Sequence, residues 1–214
     1  MNKFTLACTI ILCTALQTAS AQNDAKAKNV LDAMTKKVKT LKTIKANFVL
    51  NIIGAKVNET KKGSISLKGE KYHVLLGGQE IICDTKTIWT YNKETKEVQV
   101  SNYNASEQAM SPAKLLTNSY EKDYSYSYKG EKKEKGKTFE QVALTPKDNS
   151  AKANKIELMV DKATSMVASG NIFEKNGTKI QYTISNFTPD TNIPDSYFVW
   201  DAKAHAGVEV VDLR

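Results

Sequence analysis

The 214 residues carry a formal charge of +8 and are 41% apolar, which excludes a disordered tail or a collagen-like repeat and leaves enough oily side chain for one folded core. Lysine supplies nearly all of the positive charge, and Arg214 is the only arginine. The guanidinium forks that read bases and clamp phosphates are therefore missing, and no nucleic-acid partner is expected. The lysines are scattered among glutamates, which predicts a solvated surface with at most transient contact to anionic membranes.

In chain order, residues 1–21 read as a cleaved secretory leader. Lys3 starts it, Phe4 to Leu16 is apolar, and Ala19-Ser20-Ala21 is a small-residue cleavage site. The apolar stretch falls short of the ~20 residues that a helix needs to span a bilayer. Cys13 follows Leu12 inside that stretch, the wrong place for a lipidated cysteine. Residues 22–214 are then expected to form one exported domain. Cys8 and Cys13 leave with the leader, so Cys83 remains without a partner, and neither a disulfide nor a cysteine-based metal site is expected.

From Asp24 to Leu41 apolar residues recur every three or four positions: Ala27, Val30, Leu31, Met34, Val38 and Leu41. The spacing predicts an amphipathic helix, with Asn23 or Asp24 as its cap. From Ala46 the period changes to two. Phe48, Leu50 and Ile52 alternate with Asn47, Val49 and Asn51, and Ile65 and Leu67 with Ser64, Ser66 and Lys68; Tyr72 and Val74 follow before Gly77-Gly78. Glu80 to Cys83, Thr87 to Tyr91 and Val98 to Val100 continue a meander of antiparallel hairpins.

Ser111 and Pro112 before Ala113 to Leu116 predict a short internal helix. Strands resume with Tyr124, Tyr126 and Tyr128 alternating with serines. The charged run Lys129 to Lys137 is read as a mobile hairpin loop. Further strands are expected at Thr138–Thr145 and Ile156–Val160. Met166–Phe173 and Lys179–Ser185 should pair across Asn176-Gly177. Tyr197–Trp200 and Val208–Val211 are candidate edge strands. The fold expected from these elements is α+β and mainly antiparallel β: a strongly curved sheet with the first helix on its concave face. The helix stripe then either completes a packed core or forms a lid over an apolar cavity.

Catalytic constellations are scarce. His73 sits in a strand and His205 in a polar loop far from it, with no HExxH spacing, so structural roles are expected for both. Cys83 lacks a neighbouring base and is read as a small buried residue. Gly130 and Gly136, before Lys137-Thr138, nearly spell a phosphate loop. Five residues separate these glycines where the motif needs four, and a strand follows where it needs a helix. No enzyme activity and no cofactor are expected.

The run Glu80-Ile-Ile-Cys-Asp84-Thr-Lys-Thr-Ile-Trp89-Thr-Tyr91-Asn92 resembles a signature of the LolA family of periplasmic outer-membrane lipoprotein carriers. That signature is an apolar strand, an Asp-Gly-Lys turn and Leu-Trp-x-Tyr-Asn; here Thr85 replaces the turn glycine. Ala46-Asn47-Phe48, Gly63-Ser-Ile-Ser-Leu67, Ser111-Pro112 with Leu115-Leu116, Leu144-Thr-Pro-Lys147 and Gly207-Val-Glu-Val-Val-Asp212 match in order. The resemblance implies an unclosed, strongly curved β-barrel with an N-terminal and a short internal helix covering an apolar cavity. It implies a monomer in the periplasm of a Gram-negative bacterium. Such a carrier binds the acyl chains of lipidated proteins from an inner-membrane releasing transporter and hands them to an outer-membrane acceptor.

The acyl-chain site would take Val30, Leu31, Met34 and Val38 from the helix. From the sheet it would take Phe48, Leu50, Ile65, Leu67, Tyr72, Val74, Trp89 and Tyr91. The family's lid-latching arginine falls at Gly69, and the adjacent Lys68 is a candidate substitute, although lysine lacks the planar fork. A lipid- or amphiphile-binding sensor or carrier of the same fold is the alternative.

Overall fold

The computed structural model describes residues 24–104 and 120–214. The expected leader and the expected helix at Ser111–Leu116 lie outside these residues.

Helix α1 spans Ala25–Lys39 and buries Ala27, Val30, Leu31, Met34 and Val38, the stripe its period predicts. Of the two candidate caps, Asp24 takes the role, accepting from Lys26 N at 2.8 Å and Ala27 N at 3.3 Å. Lys36, Lys37 and Lys39 in the last turn suit the negative end of the helix dipole. The strands are β1 (Ile44–Gly54), β2 (Val57–Lys68), β3 (Lys71–Leu76), β4 (Gln79–Cys83), β5 (Thr87–Asn92) and β6 (Glu97–Asn102). After α2 (Tyr120–Asp123) come β7 (Tyr124–Glu134), β8 (Lys137–Pro146), β9 (Ala153–Asp161), β10 (Met166–Glu174) and β11 (Lys179–Pro189). A 3-10 helix (Asp195–Phe198) and β12 (Glu209–Asp212) complete the chain.

The twelve strands of the described residues form one sheet in the order β12-β6-β5-β4-β3-β2-β1-β11-β10-β9-β8-β7. Every neighbouring pair is antiparallel except β12 with β6. Strands β12 and β7 remain edges, so the sheet is unclosed. The first and last long strands, β1 and β11, meet at its centre.

Two local expectations are corrected. Lys129–Lys137 is a tight hairpin rather than a loop, because Lys135 and Gly136 supply left-handed φ values of 49° and 76° and let β7 and β8 pair to the turn. The Tyr197–Trp200 strand is replaced by the 3-10 helix, whose Phe198 is fully buried and pulls the chain out of extended geometry. Val208–Val211 does give an edge strand, shifted by one residue.

Cross-strand partners share a face, so the register sorts the side chains into two sets. Ile44, Leu67, Tyr72 and Cys83 form one row across β1–β4, and Ala46, Ile65, Val74 and Ile81 form the next. Helix α1 lies on this face. Ser66, His73, Ile82, Trp89 and Val100 form a row on the other.

Candidate functional site

The buried residues on the helix face fall into two clusters rather than one. The first joins Ala27, Val30, Leu31 and Met34 of α1 to tyrosines of β7 and to aliphatic residues of β8–β10. The second joins Val38 to Ile44, Ile65, Leu67, Tyr72 and Val74. A domain of this size usually holds one contiguous core. Here, among the described residues, α1 runs from one cluster to the other, and half-buried Ile184 packs against both.

The seam between the clusters follows the central strands. Phe48, Leu50 and Ile52 of β1 stand opposite Ile184, Tyr182 and Ile180 of β11, and all six are only partly covered. Two glycines make room for the aromatic members. A Cβ at Gly63 would collide with the Phe48 ring, and one at Gly170 would come within 2.5 Å of the Tyr182 hydroxyl. Burial pushes the phenol of Tyr182 well above its usual pKa, so it stays neutral. Beside α1 a cavity of about 170 Å³ opens between Leu31, Asp32 and Thr35 and the rings of Tyr120 and Tyr126. Small-molecule sites usually measure roughly 300–1,000 Å³, so this cavity takes a larger guest only if α1 shifts.

The helix is tied by its start. Asp24 N donates to Tyr126 O at 3.3 Å, and Tyr128 N donates to Asp24 Oδ2 at 3.0 Å. The Tyr128 amide, with those of Lys26 and Ala27, holds the Asp24 carboxyl below its ordinary pKa.

Ten of the twelve residues expected to line the site lie on the helix side of the sheet or on α1 itself, but not in one cluster. Val30, Leu31 and Met34 lie in one cluster, Val38, Ile65, Leu67, Tyr72 and Val74 in the other, and Phe48 packs against the latter, while Leu50 stands opposite Tyr182 on the same face. Trp89 and Tyr91 are on the opposite face, because Trp89 pairs with Ile82 and Tyr91 with Glu80. Alternation alone cannot say which phase of a strand faces the helix. Lys68 is also not a latch for α1: its Nζ donates to Ile193 O at 3.0 Å and pairs with Asp195 at 2.9 Å, on the far side of the sheet.

That far side carries a strap, residues 190–205. Asp190 accepts from Lys42 N at 2.7 Å, and Asp195 also meets Lys71 at 3.3 Å. His73 Nδ1 lies 3.0 Å from Tyr197 O, so this nitrogen must carry the proton. Its Nε2 is 2.7 Å from Glu80 Oε1, an ion contact short of a directed hydrogen bond. His205 approaches the other oxygen of Glu80 at 3.7 Å while stacking on Trp200 at 3.8 Å between centroids. The His73 contact, then the charge of both imidazoles, holds the Glu80 carboxyl below its ordinary pKa. The two histidines are thus structural, and their meeting on one carboxylate carried no signal in the sequence. Cys83 is buried, and burial pushes its thiol pKa up, away from a nucleophile's range.

An unclosed antiparallel sheet with an N-terminal helix over a divided apolar face is now in view. The sequence profile described as "Outer membrane lipoprotein carrier protein LolA" matches residues 39–201. The chain belongs to the LolA family. The LolA-like fold recurs in an uncharacterized conserved protein from Thermus thermophilus at 13% identity, with a TM-score of 0.61 over 87% of this chain and 99% of that one. A LolA superfamily protein from Nitrosomonas europaea aligns at 12% identity and TM-score 0.46, covering 82% of this chain and 98% of that one. LprF from Mycobacterium bovis aligns at 12% and 0.47, covering 80% and 97%. No curated protein sequence matches the chain.

Proposed function

We propose that this LolA-family protein is a periplasmic carrier of a Gram-negative bacterium that shelters the acyl chains of lipoproteins between the inner and outer membranes. In this reading it takes them from a releasing transporter and yields them to an outer-membrane acceptor, as a monomer and without cofactor or covalent chemistry. The observation that carries the reading is the divided core: α1 joins its two apolar clusters, and the strip of Phe48, Leu50, Ile52 and Ile184 on the same face of the sheet is only half covered.

The energies support exchange rather than trapping. Four large apolar side chains on α1 (Val30, Leu31, Met34 and Val38) gain together about 8 kcal/mol at roughly 2 kcal/mol each. An acyl chain of ~14 methylenes gains about 11 kcal/mol at ~0.8 kcal/mol per methylene. The two are close enough for one to replace the other over the seam, so cargo is held against water yet is still released to an acceptor.

A second reading, a sensor or carrier of another amphiphile, is favoured by Gly69 standing in the arginine position and by Lys68 turning to the strap. Among the described residues α1 is then held by apolar packing, by Asp24 and by Lys26 over the Tyr128 ring at 4.0 Å.

Binding of a fluorescent palmitate probe tests the common part. Leu50→Asp should weaken it at least tenfold while leaving the fold intact, and Leu75→Asp on the opposite face should not. Equal binding by Leu50→Asp would remove the seam from the account. Release of lipoproteins from inner-membrane vesicles separates the two readings: the carrier releases them, the sensor binds probe without releasing them.

A further inference from the structure

A cavity of about 770 Å³ opens along the strap side of the sheet. Its floor follows one cross-strand row of the strap face: Ser185, Asn47, Ser64, Leu75, Glu80 and Tyr91 are successive register partners from β11 to β5. Six adjacent strands are crossed, so at ~4.8 Å per spacing the groove is about 24 Å long. His205 of the strap closes one part of the wall.

The lining states what this groove can hold. Its floor carries hydroxyls and a carboxamide at Ser64, Ser185 and Asn47, which hydrocarbon would leave unpaired. Its one carboxylate, Glu80, is already answered by His73 at 2.7 Å and His205 at 3.7 Å. Lys62 and Lys93 line it and are exposed, and neither has an ion-pair partner among the described residues. Lys62 lies on β2 and Lys93 follows β5, three strand spacings apart, on the order of 14 Å. That distance is too great for both to clamp one phosphate. It matches two carboxylates four residues apart in an extended chain, which at ~3.4 Å per residue lie about 14 Å apart on the same side.

We propose that this groove, on the face opposite α1, binds an acidic peptide segment in extended conformation, with side chains four residues apart engaging Lys62 and Lys93. Hydroxyl and amide groups of the floor satisfy the peptide backbone, and Leu75 and Tyr91 take its apolar side chains. Phe48 and Leu76 of the helix-face row also border the groove, so the lysine variants, which leave that row unchanged, separate this site from the acyl-chain reading.

Fluorescence anisotropy of a labelled Ser-Asp-Val-Ser-Val-Asp-Ser peptide tests it on the full chain at low salt. Binding should be saturable, and Lys62→Glu with Lys93→Glu should weaken it at least tenfold. Lys36→Glu with Lys37→Glu on α1, which removes the same net charge, should change it less than twofold. A peptide with its aspartates three residues apart, on opposite sides, should bind at least fivefold more weakly. Absence of binding, equal loss in both double variants, or indifference to aspartate spacing would each overturn the proposal. Unchanged circular dichroism of the variants confirms that folding is not what is measured.

Discussion

Thr85 shows how one residue can be at odds with its own turn. It links β4 to β5 with a φ of 84°, a left-handed value that glycine accepts and a β-branched side chain resists. Asp84 holds the turn regardless, its Oδ1 accepting from Lys86 N and Thr87 N at 2.8 Å each. The strain is worth ~1 kcal/mol or more. Thr85→Gly, which restores the family's usual residue, should raise the melting temperature by about 2–4 °C in a chain of this size. Differential scanning calorimetry checks this; an unchanged or lower melting point would show that the turn is relaxed. The resemblance to the family marked this position in the sequence. Nothing marked Trp89 and Tyr91 as belonging to the strap face. Both faces of β5 look amphiphilic, and the strap that covers one of them is roughly 100 residues away in sequence, on the order of a whole domain length.

Among the elements, α1 and the strap are held by opposite means. Helix α1 was legible because its period, cap and charged outer face agree. It rests on apolar packing and on Asp24, which serves at once as helix cap and as anchor to β7. Asp24→Ala should speed amide hydrogen exchange along Ala25–Lys39 while leaving β9 and β10 protected. Uniform exchange across all of them would deny the helix an independent opening. The strap was not legible, because no periodicity accompanies chain whose contacts are single polar anchors.

The strap's anchors are carboxylates with lowered pKa, Glu80 through His73 and Asp195 through Lys68 and Lys71. A carboxyl depressed on folding contributes stability above its unfolded pKa, near 4. That contribution is lost as pH falls through the folded value. Proteolytic cleavage within residues 190–205 should therefore be slow at pH 6 and accelerate below about pH 4, ahead of cleavage in the sheet. Glu80→Ala, which leaves buried His73 Nε2 unanswered, should cost about 1–3 kcal/mol in urea unfolding at pH 7. A loss below a few tenths would show that the His73 contact holds nothing.

At the scale of the molecule, the unclosed twelve-stranded sheet of the described residues presents two faces with different chemistry. Hairpin order and the period of two gave away the meander, and the Asn176-Gly177 turn located the β10–β11 hairpin. Hidden from the sequence was the return of β11 to pair with β1, which closes a loop of more than a hundred residues and divides the core beneath α1. Whether apolar residues form one cluster or two follows from strand order, which a list of apolar positions cannot reveal.

Paramagnetic broadening by a spin-labelled stearate, with the label near the chain end, tests where a hydrocarbon lodges. Methyl resonances of Leu50, Ile52, Ile180 and Ile184 should broaden at stoichiometric probe, while Leu75 and Val210 stay sharp. Broadening confined to Leu75 and Val210, or none at saturating probe, would contradict an acyl-chain site beneath α1.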